Sequence, residues 1–160
     1  MTKTTRWMAG FASLLLLVPV AANAADDPFL GSWRLDKAKS VIAHDPGVKT
    51  KQFVFSPNGE GVMITETLEM EAGNGEKQVT HLPYVYGKFT PQPGPGFDAL
   101  SVVKTDSRTA LWTAQAKGKI VAQLEVVVSG DGKEMTFRYL STAADPTGAV
   151  TKDRYVYDKE

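Results

Sequence analysis

With two histidines, no cysteine and no Gly-x-Ser-x-Gly elbow, the chain has few residues that could do covalent or acid–base chemistry. His44 and His81 are far apart in sequence, and neither sits in a His-x-His or His-Glu-x-x-His pattern that would preorganise a metal. His44, in Ala43-His44-Asp45-Pro46-Gly47, reads as a loop residue ahead of a strand. His81 lies on a strand with parity opposite to Tyr84 and Tyr86, unless Pro83 marks a bulge that reverses the parity and turns it toward a pocket. Without cysteine there is no thiolate nucleophile, thiolate metal site or redox pair. A nucleophilic triad would also lack its activated serine. No catalytic residue, metal or cofactor is therefore expected.

Glu66 is the remaining chemical candidate, because it shares a row with Val62, Ile64, Leu68 and Met70. An inward carboxylate is costly unless it is paired or hydrated. It reads as a ligand contact, as the partner of an inward Arg or Lys, with Arg138 and Arg154 the natural candidates, or as a rim residue in water.

The elements that position these residues follow from alternation. Nearly every segment has period two, and nearly every break carries Gly, Asn, Asp or Pro, as consecutive antiparallel hairpins require. The breaks are Pro57-Asn58-Gly59-Glu60-Gly61, Gly73-Asn74-Gly75, Asp106-Ser107, Lys117-Gly118-Lys119, Gly130-Asp131-Gly132 and Asp145-Pro146-Thr147-Gly148. They delimit about nine strands, the last running from Ala149 to Tyr157. Only Asp36 to Ser40 looks helical, for a single turn. The expected fold is all-β: an up-and-down antiparallel meander closed into a barrel, since closure removes unpaired edges. A β-sandwich is the alternative.

Parity then sorts the side chains. Phe53 and Phe55, Leu82, Tyr84 and Tyr86, and Met135, Phe137 and Tyr139 form inward rows. On the seventh strand Ile120, Ala122, Leu124, Val126 and Val128 oppose Val121, Gln123, Glu125 and Val127. Trp112 can face either way, depending on register. Arg154 is read as inward with Val156, which turns Tyr155 and Tyr157 outward as a possible aromatic patch. The stretch from Phe89 to Phe97 is too rich in Pro and Gly for a strand. It reads either as a lid anchored by Phe89 and Phe97 or as a tethered surface loop.

The amino terminus carries Lys3 and Arg6, an apolar run from Trp7 to Val20, and then Ala22-Asn23-Ala24, the small-x-small pattern of a signal-peptidase site. Residues 1–24 are read as a secretory signal peptide and 25–160 as one domain beginning at Ala25. The expected location is periplasmic or extracellular, with no membrane span once the signal is removed. The mature chain would carry 16 basic against 18 acidic residues, a net charge of −2, which argues against nucleic acid.

Gly31-Ser32-Trp33 on the first strand and Arg154 on the last resemble the Gly-x-Trp and terminal-strand Arg of the calycin superfamily, the lipocalins and their relatives. That resemblance implies an Arg packed across a Trp to close the barrel base, a pair formed here by Trp33 and Arg154. The mature chain also resembles small secreted bacterial lipocalin-like proteins of largely unassigned function. The matching segments are Pro28-Phe29-Leu30-Gly31-Ser32-Trp33-Arg34-Leu35, Lys37-Ala38-Lys39-Ser40, Tyr86-Gly87-Lys88-Phe89, Ser129-Gly130-Asp131-Gly132-Lys133 and Val156-Tyr157-Asp158-Lys159. Unlike true lipocalins, the chain has no disulfide and no helix after the barrel.

The leading expectation is a non-catalytic barrel, monomeric or weakly self-associating, that binds a small apolar or amphipathic ligand. Phe53, Phe55, Glu66, His81 and Tyr84 are candidate contacts, together with Tyr86, Phe89, Phe137, Arg138 and Tyr139. One alternative is an envelope interaction module that binds a protein or inhibits an enzyme through Trp112, Tyr155 and Tyr157. The other is a small enzyme using Glu66, His81 or a Tyr as acid or base.

Overall fold

Alternating segments separated by turn residues fold here as antiparallel strands. The computed structural model describes residues 27–43, 47–93, 96–142 and 152–160. Its strands are β1 (Gly31–Leu35), β2 (Val48–Asn58), β3 (Gly61–Met70), β4 (Lys77–Tyr84), β5 (Phe89–Pro91), β6 (Ala99–Lys104), β7 (Thr109–Ala116), β8 (Lys119–Val128), β9 (Glu134–Thr142) and β10 (Arg154–Lys159). The leader 1–24 with its cleavage point, His44 and the Asp145-Pro146-Thr147-Gly148 break lie outside the described residues. No helix among the described residues is long and apolar enough to cross a membrane.

The strands form one sheet in the order β4-β3-β2-β1-β10-β9-β8-β7-β6-β5, so the first and last strands of the chain are neighbours. The sheet curls into a nearly closed barrel whose seam lies between β4 and β5. Side chains bridge that seam. The Gln92 amide donates to the Pro83 carbonyl at 2.7 Å and to the Thr90 carbonyl at 3.1 Å, and the Val85 N–H donates to the Thr90 hydroxyl at 3.1 Å. Tyr86 adds a parallel bridge to Val102.

The start of the Pro/Gly stretch is a strand after all. Phe89, Thr90 and Pro91 pair with Ser101, Leu100 and Ala99. This is possible because β5 ends the sheet order, so the N–H that Pro91 lacks is not needed by a further neighbour.

The expected Trp33–Arg154 closure is not what forms. Trp33 is buried and donates its indole N–H to the Phe29 carbonyl at 2.9 Å, but its cross-strand partner is Lys159, whose Nζ lies 4.9 Å from the ring centroid. This register turns Tyr155 and Tyr157 into the core, and Arg154 is exposed, donating to the Lys39 carbonyl at 3.0 Å. Val156, which made Arg154 look inward, is buried for a different reason. The turn after β1 lies against it: the Asp36 N–H donates to its carbonyl at 2.8 Å and its own N–H donates to the Ser40 hydroxyl at 2.9 Å. Within that turn Asp36 accepts the Lys39 and Ala38 N–H groups, which hold its carboxyl below the usual range.

A second departure is local. The β7–β8 register shifts between Ala114 and Gln115, leaving Val121 unpaired as a bulge between Ile120 and Ala122. The extra residue flips the start of β8, so Ile120 is exposed while Val126 and Val128 are buried as expected.

At the β2–β3 hairpin the glycine at 61 has a steric rather than a dihedral cause. A Cβ there would run into the Tyr84 carbonyl oxygen and press on Val85 of the neighbouring chain segment. Gly61→Ala is expected to lower stability by about 1–3 kcal/mol through forced displacement of the end of β4, read by urea denaturation.

Candidate functional site

One end of the barrel is packed and the other is open. Phe55, Tyr84, Val128, Met135 and Tyr157 are buried in a filled core around Trp33. Toward the end marked by the start of β2 and the end of β9 lies a cavity of about 530 Å³. Its floor is aromatic. Phe53 stacks on Phe137 with centroids 5.3 Å apart, and Phe137 meets Trp112 at 5.2 Å. Tyr139 and Tyr155 continue the wall, with Leu82, Leu100 and Leu124 between them and Phe97 contributed by the loop after β5. Space is left because Ala114 and Ala122, directly paired across β7 and β8, both line it. A larger side chain at either position would fill the volume.

Three charged side chains reach this wall among the described residues: Lys51, Glu66 and Asp153. Lys51 Nζ lies 2.8 Å from Glu66 Oε1, with each side chain about one-fifth exposed at 19% and 20%. The ammonium also sits 5.2 Å from the Phe53 ring and 5.8 Å from the Tyr155 ring. Asp153 is 1% exposed and accepts the Ala43 N–H at 3.1 Å. Trp112 is 6% exposed, and its indole N–H has no acceptor. Among the described residues no group of three or more His, Cys, Asp or Glu is arranged to hold a metal.

Of the sequence-derived candidates, Phe53, Glu66, Phe137 and Tyr139 line the cavity. Phe55 and Tyr84 are core residues outside its wall. Tyr86 belongs to a separate polar cluster: the Tyr84 hydroxyl donates to Tyr86 at 3.3 Å, and Tyr86 donates to Asp27 Oδ2 at 2.8 Å. Lys104 pairs with the same Asp27 oxygen at 2.9 Å and lies 4.4 Å from the Tyr86 ring centroid. Burial is the main cause that pushes both phenols up, so they stay protonated donors.

The other candidates fall outside. His81 keeps the parity of a regular strand, is exposed and meets the Thr65 hydroxyl at 3.2 Å, because Pro83 introduces no bulge into β3–β4 pairing. Phe89 is 48% exposed on the seam strand, so only Phe97 of the two expected anchors faces the cavity. Arg138 is exposed and pairs at 2.7 Å with Glu125, its cross-strand neighbour on the outer face. The cation that meets Glu66 is therefore Lys51, not Arg138 or Arg154. Sequence reasoning missed Lys51, although it shares parity with Phe53 and Phe55. It also missed Tyr155 and the paired alanines.

No protein-family model matches the chain, and no curated protein matches it in sequence. Solved structures do. A Schistosoma mansoni fatty acid binding protein in complex with arachidonic acid superposes with a TM-score of 0.56 at 14% identity, covering 83% of this chain and 96% of that one. The wild-type fluorescent protein UnaG superposes with a TM-score of 0.54 at 10% identity, over 82% of this chain and 97% of that one. A UnaG mutant gives a TM-score of 0.58 at 9% identity, over 83% and 96%. At these identities the shared property is the fold, a calycin-like barrel of the fatty-acid-binding-protein type.

The ion pair makes a testable contribution. Removing one partner strands the other in a half-buried wall, so Lys51→Met or Glu66→Leu alone is expected to destabilise by about 1–3 kcal/mol. The double variant should recover most of that loss in a urea-denaturation cycle.

Proposed function

We propose that the protein is a non-catalytic, exported binding barrel that holds one small apolar or amphipathic molecule in the cavity beneath the loop after β5. The observation that carries this reading is the cavity itself. A barrel of this size could fill its interior with side chains, as the Trp33 end does, yet about 530 Å³ is left at the other end. That volume falls within the roughly 300–1,000 Å³ of small-molecule sites, and an apolar wall with a few fixed polar groups is what such sites use. The Schistosoma mansoni fatty acid binding protein, which shares the fold, is solved in complex with arachidonic acid, and that supports the class of ligand.

The interaction-module alternative has lost the residues it rested on. Trp112, Tyr155 and Tyr157, the proposed outer patch of an interaction module, are all buried. Of the acid–base candidates, His81 is exposed and Glu66 is held by Lys51.

Diphenylhexatriene, a hydrocarbon fluorophore, is expected to bind the wild-type protein and gain fluorescence. Ala114→Phe fills the cavity and should weaken that binding by at least about tenfold without lowering the urea midpoint, since no packed group is displaced. Unchanged binding in this variant would remove the cavity as the site. Export rests on the leader pattern of residues 1–24. Amino-terminal sequencing of the protein from the periplasmic or external fraction should begin at Ala25; accumulation in the cytoplasm with Met1 retained would refute it.

A further inference from the structure

We infer that the cavity takes an amphipath with an anionic head group such as a carboxylate, that the Lys51 ammonium holds this head, and that the apolar body lies across the barrel against β7 and β8. This rests on the binding function proposed above and names its ligand class and orientation.

The wall of the cavity is divided. Its charged side chains among the described residues lie along one stretch of the sheet: Lys51 on β2, Glu66 on β3 and Asp153 just before β10. The stretch β6 to β8 contributes only apolar side chains, Leu100, Trp112, Ala114, Val121, Ala122 and Leu124. In the ten-strand order β7 stands five places from β2, so it faces β2 across the nearly closed barrel. A site divided in this way suits a molecule with a polar head and an apolar body. It also fixes which end goes where, since the room made by Ala114 and Ala122 is on the apolar side.

The charge of the head follows from Lys51. An ammonium carries three N–H donors. Among the described residues Lys51 gives one to Glu66 Oε1 at 2.8 Å, and its other neighbours are the rings of Phe53 and Tyr155, at 5.2 and 5.8 Å. All three neighbours line the cavity, so the nitrogen they surround belongs to its wall. A ligand oxygen can take a second donor while Glu66 keeps the first. The protein makes this arrangement on its surface, where Lys39 Nζ lies 2.6 Å from Asp158, 3.2 Å from Glu134 and 3.5 Å from Asp36. In the cavity the further carboxylate is supplied by the ligand, and its charge-assisted hydrogen bond forms in an apolar setting where such bonds are strong. Glu66 acts as a positioning residue that keeps the ammonium at the wall.

The test displaces diphenylhexatriene with laurate, dodecanol and dodecylamine. Laurate is expected to displace it from wild-type protein at about tenfold lower concentration than either of the others. The double variant Lys51→Met/Glu66→Leu, which removes both charges together, should weaken laurate by about tenfold and leave dodecanol within about twofold. Glu66→Gln, which keeps Lys51, should bind laurate at least as well as the wild type. In wild-type protein, nuclear Overhauser effects should connect the laurate C2 protons to the Lys51 methylene beside Nζ, and the terminal methyl to the Ala114 and Ala122 methyls. That readout needs no variant to fold. Laurate no better than dodecanol or dodecylamine, laurate binding indifferent to the double variant, or the reversed pattern of Overhauser effects overturns this inference and leaves the binding function standing. Failure of the reporter and all three competitors to bind overturns both.

Discussion

The register between the first strand and the last decides which side of β10 faces inward. With Trp33 opposite Lys159 and Leu35 opposite Tyr157, β1 lies between β2 and β10 and joins the two halves of the meander. Because side chains alternate with period two, a slip of one residue there would exchange the inner and outer faces of β10. Tyr155 and Tyr157 would leave the core and Arg154 would enter it. The same pairing puts Lys159 over the Trp33 ring, so a cation still covers the indole at the barrel base. The resemblance to calycins implied Arg154 at that position, where the structure has Lys159.

Much of the fold was legible because strand periodicity is a local property. The rows Phe53–Phe55, Leu82–Tyr84 and Met135–Phe137–Tyr139 face inward as their parity dictates, and His81 faces outward for the same reason. What was not legible depended on contacts distant in sequence. Val156 is apolar and buried, yet it is covered by the turn from Asp36 to Ser40, a contact between the two ends of the chain. Pro91 looked like a strand breaker because its tolerance depends on lying at the seam, a fact of topology. Ile120 turned outward because of a bulge that alternation alone does not announce.

The site shows the same division. The aromatic wall was readable, but the room inside it was not, since a cavity is made by the side chains that are small. Ala114 and Ala122 carry no chemical signal until the register pairs them. Lys51 was passed over because a lysine in an alternating strand ordinarily marks the solvent face. A usable signal was nonetheless present. Lys51 has the parity of Phe53, Glu66 has the parity of Ile64, and β2 and β3 are joined by a tight hairpin, so two opposite charges were due on one inward face of adjacent strands.

An inward ion pair is a poor device for stability. Replacing such a pair with apolar groups of similar volume is often neutral or stabilising, because desolvation offsets most of the Coulombic gain. The packed end of this barrel is filled by Trp33, Phe55, Met135 and Tyr157, with charge at its margin, where Lys104 pairs with Asp27 and Lys159 covers the Trp33 ring. Lys51 and Glu66 instead occupy the end where space has been left. Paired, they present a polar surface with no net charge from the two of them. Apart from Asp153 the remaining wall is aromatic, aliphatic or glycine, so this pair supplies two of the three charges at the cavity among the described residues.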